Sequence, residues 1–446
     1  MTPSLRTAVV FLGLAVSAGA CSSDQPTSLQ VAPTTTPPGT ESPAPTTTAP
    51  TTATTSPTDA PDGDTYFWNS PMWEVGVACG DRFAFANPVV DAADVEDVMF
   101  SPGSHVTPHD HMAYWSTGDS DQQGGLLASR QVPLFAPADA FIVDLGWEQR
   151  SNPDHGAYLE WGATLYVCDA HALMFGHVAQ PSGELLGLLA TGRVLEARGD
   201  PDCDLAGDPD AEIGSGCRRV IEALVPAGTP LFSSSGISGG FDFGLSLFGL
   251  SADELAEHPS YGFSITPWRS ASGRSVCPLE YFPEPWRSTY LDLVASVRCG
   301  PFNQDVPGTA RGLWFPTPSP DQPPPPWEPW PNEEWESIWL SDYHADAEKQ
   351  ELSVADDAFG LEYGKYVHVV QPEGAVNRRW DELTPGGSHC FELLRADSAF
   401  SHEPEPSAVV LIELSRGGGS LTIEGFDLSS CTSVLVFGER ARTFHR

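Results

Sequence analysis

Two proline-rich stretches set the limits within which this chain can fold. Residues 22–64 are a tract of Thr, Pro, Ser and Ala, and residues 316–332 contain a run of consecutive prolines. The first composition buries too little apolar surface to offset the entropy lost on ordering, and the second favours a stiff polyproline spacer. The sequence therefore predicts a disordered tether, a large domain over residues 65–315 and a small one over residues 333–446.

The first 21 residues have the pattern of an export signal. Arg6 supplies a positive charge, and the apolar run Ala8–Ala18 is too short to span a bilayer of roughly 30 Å as a helix. The run ends in SAGAC, and small residues before a cysteine resemble the lipobox of bacterial lipoproteins. That resemblance implies acylation of Cys21 and a place on the outer face of the cytoplasmic membrane, facing the cell wall. Ordinary cleavage near Ala20 is the alternative, and both interpretations predict export.

Eight cysteines follow Cys21, and an even number in an exported chain favours disulfides. Sequence alone leaves their connectivity open, and no CxxC pattern indicates a zinc–thiolate site. Proximity favours the pairs Cys203–Cys217 and Cys277–Cys299, with Cys390–Cys431 in the last segment and Cys79–Cys168 remaining.

The charge balance excludes some partners. The chain has 22 basic and 60 acidic residues, for a net charge of −38. Such a surface repels nucleic acid and anionic lipid headgroups. We therefore expect no nucleic-acid partner, and membrane contact through the lipid anchor only.

Both predicted domains have the residue pattern of β-sheet, since apolar, β-branched and aromatic runs alternate with turn residues. In the large domain the runs are Pro133–Trp147, Ala157–Asp169 and Phe241–Gly249. In the small domain they are Ala408–Leu414, Ser420–Phe426 and Thr432–Gly438. Helices are predicted over Ser251–His258 and Pro285–Val297. The expected fold class is mainly β, with a small antiparallel C-terminal domain.

Several segments of the large domain, taken in order, resemble the duplicated-hybrid-motif fold of lysostaphin/LytM-type zinc endopeptidases. The matching segments are VPLFAPADAFIV (Val132–Val143), LMFGHVAQPSGEL (Leu173–Leu185) and ALVPAGTPLFSSSG (Ala223–Gly236). The matching order covers about residues 99–248. This resemblance implies a lysostaphin-like barrel or sandwich of strands that carries a metal site.

The same resemblance implies metal ligands. The family opens its site with His-x-x-x-Asp, and SPGSHVTPHDHMAYW contains His105, His109 and His111, with His109 where the family has Asp. The last family strand carries His-x-His, and alignment of this strand places Asp242 at the ligand position. The implied set is His105 or His109, His111 and Asp242, with His177 nearby as a catalytic, proton-handling residue.

Two histidines and a carboxylate suit Zn²⁺, and also iron or manganese. A functional groove without metal and a solvated polar loop are the other interpretations of the His-rich stretch. Loss of a water-activating histidine removes an acid–base contribution of about 10²–10⁴-fold. We therefore expect a catalytically degenerate domain that binds cell-wall peptide or glycan, or an envelope protein. The alternatives are an active metallo-endopeptidase with altered ligands and a structural surface protein.

Overall fold

The computed structural model describes a defined part of the chain. The described residues are 75–79, 83–100, 111–116, 131–152, 156–169, 171–199, 203–235, 240–247, 275–294, 299, 302, 304–318, 337–344, 346–355, 359–383, 385–396, 402–431 and 435–446. The export signal, Cys21, the tether, most of the proline-rich spacer and the predicted helix Ser251–His258 lie outside this part. So do His105 and His109.

A nine-stranded antiparallel sheet forms the first half of the described chain. Its strands are β1 (Val95–Met99), β2 (Met112–Ser116), β4 (Ala140–Asn152), β5 (Gly156–Cys168), β6 (His171–Val178), β7 (Arg193–Gly199), β8 (Gly216–Val225), β10 (Gly240–Leu247) and β11 (Ser275–Val276). The order is β1-β2-β10-β6-β5-β4-β8-β7, with β11 paired to β10. A separate ribbon joins β3 (Pro133–Phe135) to β9 (Pro230–Ser233).

One face of this sheet carries an aromatic core. Trp147 pairs with Trp161 across β4 and β5, and Phe175 pairs with Phe243 across β6 and β10. All four side chains are buried. Because side chains alternate along a strand, the residues between them point to the opposite face, where the polar residues of interest lie.

Two short helices flank the first sheet. They are α1 (Gly183–Leu189) and α2 (Trp286–Leu291). The side chain of Ser182 caps α1 by accepting a hydrogen bond from the Leu185 amide. The predicted helix Pro285–Val297 is confirmed at its start and is shorter than expected. No helix among the described residues has the length and hydropathy that a membrane crossing requires.

The second half forms an eight-stranded antiparallel meander that nearly closes into a barrel. Its strands are β12 (Gly312–Trp314), β13 (Ile338–Asp342), β14 (Lys349–Val354), β15 (Gly364–Val369), β16 (Ser388–Arg395), β17 (Ala408–Leu414), β18 (Ser420–Phe426) and β19 (Arg442–His445). Closure comes from Phe315 and His445, whose backbone amides each donate to the other's carbonyl at 2.9 and 2.7 Å. β12 belongs to this sheet although it precedes the predicted spacer.

The mainly β fold class is confirmed, with two differences in the strands. The predicted run Pro133–Trp147 divides into β3 and β4, because Pro137 lacks the amide that a continuous ladder requires. The run Thr432–Gly438 was expected to be a strand, but its described part, residues 435–438, is not one. There the Gly438 amide donates to the Glu424 carboxylate instead of to a neighbouring strand.

All four favoured disulfides are confirmed. The Cα–Cα distances are 5.2 Å for Cys79–Cys168, 5.8 Å for Cys203–Cys217, 5.4 Å for Cys277–Cys299 and 6.0 Å for Cys390–Cys431. These values lie within the range that a disulfide spans. Each sheet is therefore held by covalent links as well as by its core.

A buried histidine in the second sheet makes its stability depend on pH. His368 packs against Trp380 and Phe391 and hydrogen-bonds the carbonyl of Arg378 at 3.2 Å. Burial lowers the pKa of His368 to about 3. Between about pH 6.5 and pH 3 the unfolded chain binds the proton and the folded chain does not, so the free energy of unfolding falls as the pH falls.

We expect this histidine to contribute a slope of up to about 1.4 kcal/mol per pH unit below pH 6.5. The measurement is denaturant unfolding across that range for the unsubstituted protein, His368→Leu and the control Gln371→Leu, at an exposed residue that does not titrate. His368→Leu should flatten the slope, and the control should leave it unchanged. If the free energy of unfolding changed with pH at the same slope in all three proteins, the lowered pKa of His368 would be contradicted.

Candidate functional site

Three of the predicted site residues meet on one face of the first sheet. His111 directly precedes β2, Asp242 lies in β10 and His177 lies in β6. Oδ2 of Asp242 is 3.3 Å from Nε2 of His111 and 3.4 Å from Nε2 of His177. Asp242 and His111 are buried, while His177 keeps 33% of its side chain exposed. One carboxylate therefore joins two imidazoles that are far apart in sequence.

Strand register places Asp242 at the centre of this cluster. β10 lies between β2 and β6, so that Asp242 pairs with Ala113 on one side and Gly176 on the other. Its neighbour Phe243 points into the aromatic core, so Asp242 points to the opposite face. A Cβ atom at Gly176 would lie 2.9 Å from Oδ2 of Asp242. Glycine at 176 thus leaves the room that the carboxylate occupies.

Glu160 and Arg150 extend the cluster. Nδ1 of His177 hydrogen-bonds the carboxylate of Glu160, and Nη1 of Arg150 lies 2.7 Å from Oε2 of Glu160. The backbone of His177 is left-handed, with φ of 52°, a strained conformation for a residue with a side chain. Its imidazole is therefore held from both sides, by Glu160 at Nδ1 and by Asp242 at Nε2.

Glu160 and Arg150 were not predicted as site residues, although the sequence contains one signal for Glu160. Glu160 stands between Leu159 and Trp161 in an apolar strand, and a carboxylate in such a strand needs a cation when it is buried. The cation could not be named, because the pairing of β4 with β5 and of β5 with β6 brings Arg150 and His177 to it.

The charges of the cluster support one another. Burial disfavours the charged form of His177, but the carboxylates of Asp242 and Glu160 outweigh burial and raise its pKa to about 9. Burial likewise acts to raise the pKa of Glu160, but the hydrogen bond and charge of His177, together with Arg150, bring that pKa below its ordinary value. At neutral pH an imidazolium therefore lies between two carboxylates.

The donors fit a metal ion in part. Two ligands of a tetrahedral zinc ion are about 3.4 Å apart, since zinc–ligand bonds are about 2.0–2.2 Å. The 3.3 Å between His111 and Asp242 matches this separation. His111, His177 and Asp242 do not form a compact three-donor set among the described residues. His111 and Asp242 thus fit as two ligands, and the predicted third, His105 or His109, lies outside the described residues.

Among the described residues, the compact three-donor group is Cys79, Cys168 and His171. The two sulfur atoms lie 3.0 and 3.4 Å from Nδ1 of His171. The same sulfurs form a disulfide, and metals bind the thiolate form of cysteine. In the oxidised protein this group is a disulfide with an adjacent imidazole, and only its reduced form offers ligands.

In comparisons with known proteins, no family model, no curated protein and no solved structure matches the chain. The lysostaphin-like assignment, the lipid anchor and the export signal therefore stay predictions from the residues that suggested them.

The protonation state of His177, which lies between Glu160 and Asp242, can be tested by NMR. In the chelator-treated protein we expect His177 to be protonated at neutral pH and to titrate near pH 9, because two carboxylates stabilise its charge. Glu160→Gln removes one of these charges and should move the titration towards neutral pH. Glu413→Gln, in β17 of the second sheet, is the control and should leave it unchanged. A His177 pKa near 6.5 in the unsubstituted protein would contradict this geometry.

Proposed function

We propose that the chain is an exported envelope protein whose first sheet binds a divalent metal ion through His111 and Asp242. We further propose that this site holds cell-wall peptide or glycan without hydrolysing it. One observation carries the proposal: a buried carboxylate, Asp242, is shared by imidazoles from two other parts of the sheet.

The free-energy cost of burying this cluster of charged side chains supports a functional role for it. Charged groups buried in a sheet are often less stabilising than apolar residues of similar volume. Four ionisable side chains nevertheless meet where the sheet has an aromatic core on its other face: His111, Glu160, His177 and Asp242. Local departures from the polar-out, apolar-in pattern concentrate at functional sites.

Geometry also favours binding over hydrolysis. A general base must present an unoccupied atom to the proton that it removes from water. Both ring nitrogens of His177 are engaged, one by Glu160 and the other by Asp242. A metal ion at His111 and Asp242 would supply Lewis-acid attraction for a ligand oxygen, while His177 holds the two carboxylates in place.

The location rests on the sequence. SAGAC before a Thr/Pro tract is typical of a lipid-anchored protein that extends from a membrane. A cell-wall ligand is the partner that such an anchor places within reach. The strongly acidic surface argues against nucleic acid and anionic membranes as partners.

Metal content measured by mass spectrometry tests the site. The purified full-length protein should bind zinc, iron or manganese near one ion per chain. His111→Asn and Asp242→Asn should each reduce metal affinity by more than about 100-fold. Loss of a residue that only supports a metal ligand already costs about 10–100-fold. His389→Asn, in β16 of the second sheet, is the control and should keep the metal.

Two outcomes would contradict the proposal. Absence of bound metal in the unsubstituted protein after incubation with each of the three ions would leave the cluster as a structural ion-pair network. Release of soluble peptides from purified cell walls by the metal-loaded protein, and not by Asp242→Asn, would make the site a working endopeptidase.

A further inference from the structure

A lysine and a glutamate meet on the face of the second sheet that lies opposite its core. Leu352 and Tyr366 point into the core. Their neighbours, Glu351 in β14 and Lys365 in β15, therefore point to the other face. Glu351 pairs with Val367, two residues beyond Lys365, so Lys365 is a diagonal neighbour within reach of a long side chain. Nζ of Lys365 lies 3.2 Å from Oε1 of Glu351. Strand pairing thus brings an amine into contact with a carboxyl group.

Both side chains are removed from water. The side chain of Glu351 is 0% exposed and that of Lys365 is 7% exposed. Val367, the cross-strand partner of Glu351, and Trp339 in β13 are fully buried on the same face. Burial disfavours ionised groups. It raises the pKa of the Glu351 carboxyl, although the charge of Lys365 and the hydroxyl of Ser353 act to lower it. The surroundings therefore favour the uncharged form of this carboxyl group.

The two carboxyl oxygens of Glu351 differ in their contacts. Oε1 accepts a hydrogen bond from the Ser353 hydroxyl at 2.7 Å and also lies next to Nζ of Lys365. Oε2 is buried and has no hydrogen-bond partner among the described residues. A buried acceptor without a donor is destabilising and rare in folded proteins, and a buried ion pair gives little net stability. Loss of Oε2, together with both charges, would remove this cost.

Condensation of the two side chains would remove all three. In water at neutral pH an amine and a carboxylic acid do not condense readily, because both are ionised and they meet only briefly. Burial opposes the ionisation, and groups held in contact can reach effective concentrations of about 10⁵–10⁸ M. The Ser353 hydroxyl donates to Oε1, the atom on which negative charge develops when an amine attacks the carboxyl carbon. The contacts of Glu351 therefore suit attack by the neighbouring amine.

We propose that Lys365 and Glu351 are joined by an amide bond that cross-links β14 and β15. Nζ of Lys365 attacks Cδ of Glu351, Oε1 becomes the amide oxygen and Oε2 leaves. Of the three hydrogens of the ammonium group, one stays on the amide nitrogen and two leave with Oε2 as water. The reaction needs no oxidant, reductant or further reactant. The product lacks both charges and the unpaired oxygen, and it does not depend on the proposed metal site.

Peptide mass spectrometry tests the bond, because the chain has two lysines, Lys349 and Lys365. The purified full-length protein is unfolded, reduced and digested with a protease that cleaves after Lys and Arg. An amide at Lys365 blocks cleavage there. As the main product from this region we expect one peptide of residues 350–378, lighter than its sequence mass by one water molecule. Its fragment masses should place the link between Glu351 and Lys365.

Two variants distinguish the cross-link from an ion pair. Lys365→Arg keeps a positive charge, but its guanidinium stays protonated and does not attack a carboxyl group. It should give the peptides 350–365 and 366–378 at their sequence masses. Lys349→Arg is the matched control, because Lys349 pairs with Asp346 at a partly exposed position and its replacement leaves the same cleavage sites. It should give the cross-linked peptide as the unsubstituted protein does.

The unsubstituted protein decides the question even if Lys365→Arg fails to fold. Peptides 350–365 and 366–378 at their sequence masses, as its main products, would overturn the proposal and leave Lys365 and Glu351 as an ion pair. Peptide 350–378 at its full sequence mass, or a loss of water that the fragment masses place at other residues, would overturn it as well.

Discussion

The pairing of β10 between β2 and β6 is the constraint on which the polar cluster depends. It sets Asp242 against Gly176 and turns Phe243 into the aromatic core. A register slip of one residue would exchange the two faces, so that a carboxylate would enter the core and an aromatic ring would leave it. The same contacts that bury Phe243 thus fix where the carboxylate lies, and the site is as specific as the core.

Three polar arrangements in the first sheet differ in how well they are satisfied. Arg218 makes paired contacts to both carboxylate oxygens of Asp144, with Nε at 2.6 Å from Oδ1, which is the usual form of a buried structural ion pair. The Asp242 cluster is satisfied by shared contacts among several charges. Oε1 of Gln149 has no hydrogen-bond partner among the described residues. The first arrangement is a structural ion pair, the second is the one at which we propose a metal ion, and the third leaves a buried acceptor unpaired.

The sequence predicted local features well and long-range pairing poorly. Apolar and β-branched runs bounded by turn residues located β4, β5 and β10, and proximity paired Cys203 with Cys217 and Cys277 with Cys299, because both signals are carried by nearby residues. Closure of the second sheet between Phe315 and His445 joins residues more than a hundred positions apart and left no local trace. Asp242 and His177 were found through the resemblance to lysostaphin-type enzymes, while the contacts of Glu160 depend on the register of β5 with its neighbours, which no local pattern gives.

The disulfides indicate how a sheet with this much buried polarity stays folded. An unpaired buried polar group costs about 1–3 kcal/mol, and buried ion pairs give little net stability. A disulfide that closes a loop of about 15 residues contributes about 3 kcal/mol in the chain-entropy model, and a loop of about 100 residues contributes somewhat more. The cysteines of the Cys203–Cys217 and Cys79–Cys168 pairs are 14 and 89 residues apart in sequence. These two links therefore act on the half of the protein that contains the Asp242 cluster, and they offset a cost of similar size.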